Sequence, residues 1–527
     1  MSRPARLFRF ALVASWLLGL WVVPPSRTVH AATFDIPAGD VTALIDAINT
    51  ANANGVPDVI NLAAGSTYVL SPASDARIPF TDGGDNGLPR IYADLTINGN
   101  GATLHRDASA PQFRLLMVTG ANLTVNDLTL TGGIATVGAS GCITSACGGG
   151  IFLYGGSLTI NNSVFSGNTV SNINSGESEG GALDADGSSL TITNSTFTGN
   201  SADAGAAISC GTTTALMNNI TVRENTAPRR AGGILVYRRT TLTLTNSRVQ
   251  NNIANWAGGG ISSSGSLIIN NSEITGNHAQ GPSASFGGGI NVDLADSVII
   301  TGSLIQNNSS VDAGGGLSSH YTTNITITNT SILDNRSERA SGGGLFVDNG
   351  GATVSQSTFA RNSALVGGGI TVSHGTLTAA NSTVSGNSAS QHGGGVSAES
   401  SGIVTLINST VASNNAPAGS QLYTHPVGSL TLRNTIVAGT AGVNSCDGAA
   451  TPTIEGRLIQ YPDQSCQPAS PAANPVLGPL ANNGGATLTQ ALQAGRSASS
   501  SADNHREATA SVVAPTNSRL VETAIPG

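Results

Sequence analysis

Residues 286–308 read FGGGINVDLADSVIITGSLIQNN, and this stretch decides the fold. Three glycines lead into Ile290 and Val292, which alternate with polar residues. Two further short apolar runs follow, one around Ile300 and one around Ile305, before the unit closes on two asparagines. Alternation with a period of two indicates strands, and each run is too short for a helix. The stretch therefore predicts three short strands joined by turns.

The same unit recurs along the chain in two independent registers. The apolar residue that follows each run of small residues recurs at intervals of 25 to 32 residues, at Ile151, Leu183, Ile208, Ile234, Ile261, Ile290, Leu317, Leu345, Ile370 and Val396. The asparagines that close the units keep the same spacing, at Asn168, Asn200, Asn225, Asn252, Asn277, Asn308, Asn335, Asn362, Asn387 and Asn414. A unit of this kind buries its apolar face only against its neighbours, so the period predicts a solenoid.

The predicted fold class is all-β: a right-handed parallel β-helix with three short strands per coil and an N-terminal capping α-helix. Glycine at the corner of each coil accepts a positive φ and lets neighbouring backbones approach closely. Asparagine is the next-best residue for a left-handed conformation, and its amide can hydrogen-bond to the same amide one coil away. We expect the apolar residues of the first register to point inward and to stack coil over coil.

The composition fits repetition and limits the partners. The chain has 527 residues, 67 of them glycine, with 4% aromatic and 10% charged residues. All 22 basic residues are arginine, and the net charge is −8. A diffuse acidic balance argues against nucleic acids and anionic membrane surfaces as partners.

The N-terminus predicts export. Residues 1–31 have an arginine-bearing head, an apolar run from Phe10 to Val23 and a small-residue end, the pattern of a signal peptide. The run is shorter than the roughly 20 residues needed to span a bilayer, which favours export over a membrane anchor. We therefore expect a secreted or extracellular protein, open to association with the cell surface, with no transmembrane segment after cleavage.

Four segments follow the signal peptide in the predicted organisation. Residues 32–58 form an N-terminal cap, in which Asp40 begins an amphipathic helix and Gly55 follows its end. Residues 59–440 form the β-helix, and residues 441–496 form a C-terminal cap. Residues 497–527 are a Ser/Ala-rich polar tail whose composition does not require order.

Export makes disulfide bonds possible, and the five cysteines sort into pairs by position. Cys142 and Cys147 share one short loop, and Cys446 and Cys466 flank another, so we predict two bridges. Half of a zinc site is the alternative for the first pair, but no Cys or His partner lies near it in the sequence. Cys210 has the inward register and is predicted to be a buried free thiol.

Two sequence features carry a resemblance to known families. The small residues before Ile or Leu, with FxxN at residues 165–168, 197–200 and 359–362, resemble the repeats of chlamydial polymorphic outer-membrane proteins. More broadly, residues 33–440 resemble bacterial right-handed parallel β-helix proteins of the pectin-lyase-like superfamily. Residues 474–495 are similar to the terminal module called choice-of-anchor Q.

The resemblance implies several functions, because the superfamily contains adhesins, polysaccharide lyases and hydrolases. The clustered aspartates with arginine or lysine bases of pectate lyases do not occur here as such, nor do the sequence elements of polygalacturonases. We therefore expect an adhesin-like protein that binds glycans or cell-surface ligands. A polysaccharide lyase or glycoside hydrolase and a structural spacer of the cell envelope stay open, as does the oligomeric state.

One outward position of the repeat supplies the candidate catalytic residues. If Ile290 points inward, then Asn291 and Asp293 point outward. Adjacent coils lie about 4.8 Å apart, so Asp293, His320 and Asp348 should form a carboxylate–imidazole–carboxylate column. Such a column can share protons, hold a cation or bind sugar hydroxyls. The alternative is a solvated strip in which the histidine relieves two like charges.

Further outward residues are candidates for ligand binding: Tyr154, Asp184, Asp186, Tyr237, Arg238, Phe346 and Glu399. Aromatic rings with a nearby arginine can stack against a glycan. Asp184 and Asp186 project from one strand and could suit Ca²⁺, although two carboxylates make a weak site and surface solvation is the alternative. We expect no other cofactor or metal.

Overall fold

The computed structural model describes residues 30–71, 86–136, 148–171, 178–187, 189–211, 214–282 and 285–494. Over these residues the chain forms a right-handed parallel β-helix with one α-helix, Val41–Asn54. The predicted fold class is confirmed. The predicted polar tail, almost all of the predicted signal peptide, and both cysteines of the pair Cys142 and Cys147 lie outside the described residues.

Parallel strands stack coil over coil into three main sheets. Sheet A has 27 strands: Thr33–Ile36, Asp58–Leu62, Thr67–Leu70, Leu95–Arg106, Asn122–Thr131, Ser157–Asn161, Val164–Ser166, Ser189–Thr193, Thr196–Thr198, Thr214–Asn218, Thr221–Arg223, Thr241–Thr245, Arg248–Gln250, Ser266–Asn270, Glu273–Thr275, Val298–Thr301, Leu304–Gln306, Ile325–Thr328, Ser331–Leu333, Gly351–Ser355, Thr358–Ala360, Thr376–Ala380, Thr383–Ser385, Ile403–Ile407, Thr410–Ala412, Ser429–Ala438 and Thr453–Tyr461. Sheet B has 13 strands: Leu116–Thr119, Ile151–Tyr154, Leu183–Asp186, Ile208–Cys210, Ile234–Val236, Ile261–Ser263, Ile290–Asp293, Leu317–His320, Leu345–Asp348, Ile370–Ser373, Val396–Glu399, Leu422–Thr424 and Cys446–Gly448. Sheet C has 7 strands: Thr226–Ala227, Ile253–Ala254, His278–Ala279, Ser309–Ser310, Arg336–Ser337, Ser363–Val366 and Ser388–His392.

Two small sheets complete the described strands. One is a parallel pair, Ile134–Thr136 with Thr169–Ser171. The other is an antiparallel hairpin, Leu477–Ala481 with Thr489–Leu492. The hairpin lies against sheet A, because the Thr487 Oγ1 donates a hydrogen bond to the Gln356 carbonyl at 3.2 Å and the Thr358 Oγ1 donates to the Leu488 carbonyl.

The regular coils contain the three predicted strands, and most of them add a short fourth one. In the coil that decides the fold, Ile290–Asp293 belongs to sheet B, and Val298–Thr301 and Leu304–Gln306 belong to sheet A. The two residues Ser309–Ser310 add a strand in sheet C. Left-handed residues separate the strands, as at Gly302 with φ 61°.

The apolar core runs through the middle of the solenoid. The predicted inward side chains are fully buried and stack in register, with Ile290 paired to Leu317 and Leu345 paired to Ile370. Cys210 is also buried and is a free thiol, as predicted. Burial, followed by the nearby Asp184 carboxyl, raises the pKa of the Cys210 thiol to about 12.

The asparagines of the second register form a continuous buried ladder. In each coil the Nδ2 donates to the Oδ1 of the next asparagine at 2.9–3.2 Å. That Oδ1 also accepts the backbone N–H of the preceding rung, as Asn335 does from Asn308 at 3.0 Å. The last rung, Asn414, donates instead to the Gln421 Oε1 at 2.9 Å, so the longer side chain of a glutamine ends the ladder. The predicted amide-to-amide contact is confirmed.

The left-handed conformation falls one residue before each ladder asparagine rather than on it. Asn307 has φ 55°, and Gly167 with φ 60° precedes the first rung. The glycines before sheet B behave as predicted. Gly287 has φ 63°, and a Cβ on Gly288 would lie 2.3 Å from the Ser309 carbonyl oxygen.

The two ends of the described solenoid differ from its regular coils. At the N-terminal end Asp40 caps the helix by accepting from the Ala43 N–H at 2.9 Å, and Gly55 ends the helix with φ 71°. Val41, Leu44 and Ile48 of the helix are buried against the core. At the C-terminal end a disulfide joins Cys446 and Cys466, as predicted. No described helix has the length and apolar character needed to cross a membrane.

Candidate functional site

The outer face of sheet B collects the predicted site residues. The second residue of each strand and the residue two positions later lie on this face, and parallel pairing aligns them from coil to coil. Asp293 pairs with His320, and His320 pairs with Asp348, so the predicted column exists in the backbone register. Asp348 in turn pairs with Ser373, and Ser373 pairs with Glu399.

The His320 cluster lies at the middle of this face. The imidazole Nδ1 of His320 is 3.6 Å from the Asp348 Oδ2, and its Nε2 is 3.1 Å from the Ser318 Oγ. The ring centroid lies 4.8 Å from that of Phe286 and 5.5 Å from that of Phe346. Polar contacts at both nitrogens and two neighbouring aromatic rings therefore hold the imidazole in one orientation.

The column differs from the prediction at its first member. Asp293 is exposed, and its side chain makes no hydrogen bond or ion pair within the described part of the chain. The second imidazole on Asp348 comes instead from His374, whose Nδ1 is 3.3 Å from the Asp348 Oδ1. His374 follows the strand, in a left-handed corner with φ 51°. The arrangement is thus imidazole–carboxylate–imidazole.

A second cluster precedes the first along the solenoid, and sequence reasoning found only part of it. The Tyr237 hydroxyl donates to the Glu179 Oε1, and the Arg230 Nη2 donates to that hydroxyl at 3.2 Å. The Ser209 Oγ donates to the Glu179 Oε2 at 3.0 Å. Glu179 and Arg230 both stand four residues before an aligned apolar residue, and this register would have revealed them.

Asp184 does not project into solvent as predicted. Its side chain is buried, because the corner glycine folds over it: a Cβ on Gly180 would lie 2.7 Å from the Asp184 Cβ. Burial, followed by the charge of Glu179, raises the pKa of Asp184 well above its usual range. Because the Asp184 side chain is buried while that of Asp186 is exposed, the two carboxyls do not present a shared open site, which argues against a cation between them.

Other residues at the second strand position are also less exposed than predicted. Asn291 is 7% exposed, contrary to the expectation that it points into solvent, and Phe346 is half-buried. Arg114 is buried beside the face and donates from its Nε to the Gly148 carbonyl at 3.1 Å. Burial lowers the pKa of the Arg114 guanidinium to about 10, against the opposing charge of Asp184.

A third cluster surrounds Glu399 near the C-terminal end of the face. The carboxylate contacts the His392 Nε2 at 2.9 Å and accepts from the Ser397 hydroxyl. The His392 ring lies on that of Tyr423, with centroids 3.9 Å apart. Burial alone would raise the pKa of Glu399, but the hydrogen bonds from His392 and Ser397 outweigh it and lower the pKa. Glu399 therefore stays a charged acceptor.

Exposed aromatic rings concentrate around the same face. Among the described residues, five aromatic side chains are exposed: Tyr92, Tyr154, Trp256, Tyr321 and Tyr461. Tyr154 lies on the outer face of sheet B, and Tyr92 and Tyr321 lie next to strands of that sheet. Trp256 lies in the segment that connects sheet C to sheet B, whereas Tyr461 belongs to sheet A. The predicted ligand-binding residue Arg238 is also exposed at one edge of sheet B.

No group of three or more His, Cys, Asp or Glu side chains in the described ranges is arranged to hold a metal ion. The three clusters instead offer hydrogen-bond donors, acceptors and rings. His320 and Glu399 lie three coils apart, and so do Tyr237 and His320, which corresponds to about 14 Å in each case. The face can thus contact an extended molecule at successive points along the solenoid.

Comparisons with known proteins agree with this fold. The family model of the right-handed β-helix region matches residues 117–252 and 214–382, which together cover just over half of the chain. The chain belongs to the right-handed β-helix family. No curated protein sequence matches it. Among solved structures, the A-module of the mannuronan C-5 epimerase AlgE6 of Azotobacter vinelandii is similar at 13% identity, with a TM-score of 0.36. The match covers 80% of this chain and 95% of that chain, and no activity is inferred from it.

Proposed function

We propose that the protein is a secreted or cell-surface β-helix protein that binds a glycan chain along the outer face of sheet B. The distribution of exposed aromatic side chains supports this proposal most directly. Four of the five in the described residues flank this one face. Aromatic rings present an apolar surface with polar edges, which suits a molecule whose own faces alternate between apolar and hydroxylated.

The polar clusters supply hydrogen bonds between the rings. Glu399 is a charged acceptor whose side chain is 20% exposed. The partly buried Glu179–Tyr237 pair and His320, whose side chain is 18% exposed, offer further donors and acceptors. A few placed polar groups among apolar ones fix the orientation of a bound ligand. Because sheet B stacks 13 parallel strands, a chain-like ligand can use several clusters at once, and each added contact raises the overall affinity.

A second candidate function is cleavage of a glycan at the His320 cluster. It is favoured by the orientation of the imidazole, which has the Asp348 carboxylate at one nitrogen and the Ser318 hydroxyl at the other. An imidazole held by a carboxylate can act as a general base or acid. Asp293, predicted as a third member, would take part only through contact with the substrate.

One experiment separates these functions. The purified mature protein is applied to a glycan array, and every glycan that binds is then incubated with the protein in a reducing-sugar assay. Binding without release of reducing ends supports the proposed function. Release of reducing ends that His320→Ala abolishes supports cleavage. Neither binding nor release would contradict both and leave a structural spacer of the cell envelope.

The finer resemblances remain proposals as well. We propose that the FxxN repeats are related to those of chlamydial polymorphic outer-membrane proteins, and that the hairpin segment acts as a terminal module of the choice-of-anchor Q kind. Export through the predicted signal peptide is part of the same proposal. Mass spectrometry of the protein from culture medium and cell envelope, with its mature N-terminus, tests these points.

A further inference from the structure

One coil of the solenoid concentrates unpaired positive charge. Among the described arginines, most make a hydrogen bond or an ion pair through the guanidinium, as Arg361 does with Asp334 at 2.8 Å. Within that part of the chain, four have neither: Arg229, Arg238, Arg239 and Arg433. The first three belong to a single coil.

These three arginines lie on both sides of a strand of sheet B, Ile234–Val236. Arg229 lies before the strand and stacks on the exposed ring of Trp256, with its Cζ 4.7 Å from the ring centroid. Arg238 and Arg239 lie after the strand and are exposed, and Arg239 has a left-handed φ of 69°. Tyr237 and Arg230 of the same coil belong to the Glu179 cluster.

Such an arrangement is unfavourable without a counter-charge. Arg238 and Arg239 are neighbours in sequence and their like charges repel, although the chain has more acidic residues (30) than basic ones (22) from which to draw partners. The Glu179 carboxylate, which contacts Tyr237 of this coil, is already occupied, because it accepts hydrogen bonds from Tyr237 and Ser209. A local positive potential on an otherwise acidic surface attracts an anionic ligand and raises its rate of association.

We propose that this coil binds sulfate or phosphate ester groups carried by the glycan chain, an inference that rests on the proposed function. A guanidinium fork matches the two oxygens of one carboxylate, and these two oxygens lie in a single plane. A tetrahedral ester oxyanion has three oxygens in different directions and accepts from more than one guanidinium. Arg238 and Arg239 are adjacent in sequence and exposed, so an ester oxyanion, which offers oxygens in different directions, matches this pair better than a planar carboxylate does.

The test uses four polymers with one backbone: dextran, dextran sulfate, phosphorylated dextran and carboxymethyl dextran of equal length and charge density. The mature protein should bind the sulfated or phosphorylated polymer at least about tenfold more tightly than carboxymethyl dextran. Comparison of the sulfated and phosphorylated polymers tells which ester is preferred. Equally tight binding of carboxymethyl dextran, or tighter binding of single-stranded DNA of equal charge, would overturn the proposal.

Two variants and one matched control locate the binding. Arg238→Gln with Arg239→Gln should weaken binding of the ester polymer about tenfold, because two charge-assisted contacts are lost at exposed positions, and thermal unfolding of the variant checks that the fold is kept. Arg238→Lys with Arg239→Lys should lose less affinity, because the positive charge remains and only the two-pronged hydrogen-bond geometry of the guanidinium is lost. Arg433→Gln removes an exposed, unpaired arginine from sheet A and should change affinity less than twofold. An equal loss in Arg433→Gln would show unspecific charge attraction and overturn the site.

Failure of this inference and failure of the proposed function are distinguishable. If neutral glycans bind and the aromatic residues of sheet B are needed, but esters give no advantage, only the ester site is wrong. If ester polymers bind through Arg238 and Arg239 while changes of the aromatic residues have no effect, the glycan-binding face is wrong.

Discussion

The asparagine ladder and the outer face of sheet B run along the same coils, but only one of them repeats its residue type. Every rung from Asn168 to Asn414 is asparagine, and each donates to the next. At the fourth position of the sheet B strands, by contrast, Asp293, His320 and Asp348 follow one another with no residue type kept between neighbouring coils. One position is uniform and buried; the other is variable and accessible.

The difference separates what the fold requires from what it leaves free. A ladder amide satisfies backbone and side-chain groups of two neighbouring coils, so a change at one rung leaves buried polar groups unpaired. The side chains of Asp293, His320 and Asp348 at the fourth position bond no backbone group of the next coil, so the fold restricts their chemistry less. Variation at a position that the fold leaves free is where a binding function is expected.

The largest expected effect breaks the ladder. Asn308→Ala should lower the free energy of unfolding by about 4 kcal/mol, because it removes the partners of the Asn277 amide and N–H, the Ile274 carbonyl and the Asn335 Oδ1. Urea unfolding of the variant and the wild-type chain measures it. A cost below about 1 kcal/mol would show that the ladder is not what holds the coils in register.

The next largest effect is a pH dependence of the free energy of unfolding. It comes from Asp184, a buried polar residue at a position where the neighbouring coils have other residue types. The pKa of the Asp184 carboxyl is raised in the folded protein. The contribution of this carboxyl to the free energy of unfolding is therefore fully present below its ordinary pKa of 3.8 and is lost as the pH rises through its pKa in the folded protein. Between these two values the free energy of unfolding should fall by about 1.4 kcal/mol per pH unit from this group. Asp184→Asn should abolish that fall, and thermal unfolding from pH 4 to 8 measures the difference.

A control variant separates the two causes of the raised pKa. Glu179→Gln removes the second cause, the neighbouring charge, and leaves burial in place. The pH dependence should therefore shrink in this variant but persist. An unchanged pH dependence in Asp184→Asn would assign the effect to another group.

The third effect is small in stability and large in binding. His320→Ala should lower the free energy of unfolding by about 1 kcal/mol at most, since its contact with Asp348 is a partly exposed pair. Binding of the glycan should weaken about tenfold if the imidazole contacts it. Titration with the best ligand from the array, together with thermal unfolding, gives both numbers. A large loss of stability would place His320 with the ladder residues instead.

The smallest expected effect concerns the reactivity of the Cys210 thiol toward a labelling reagent. The thiol is buried with a pKa of about 12, so it should not react with a thiol reagent at pH 8 in the folded protein and should react fully in denaturant. Counting labelled thiols by mass spectrometry checks it. Labelling under native conditions would contradict the inward register of that strand.

The sequence predicts the repeating part well because period and burial are local properties. Ile290, Cys210 and the asparagine rungs follow from the registers alone. The outer face is predicted only in part, because it depends on contacts between different coils. Asp184 is buried by the glycine corner of its own coil, and His374 reaches Asp348 from outside the strand. Neither contact changes the local pattern of the sequence.

The most direct test of the central claim compares aromatic residues on two sheets. Replacing Tyr154, Trp256 and Tyr321 together by alanine removes exposed rings around sheet B, and Tyr461→Ala removes a matched exposed ring from sheet A. Affinity for the best ligand from the array is measured for both variants and the wild-type protein. The account predicts a loss of at least about a hundredfold in the triple variant and less than twofold in Tyr461→Ala, with unchanged thermal unfolding. Wild-type affinity in the triple variant would contradict the claim that this face binds the glycan.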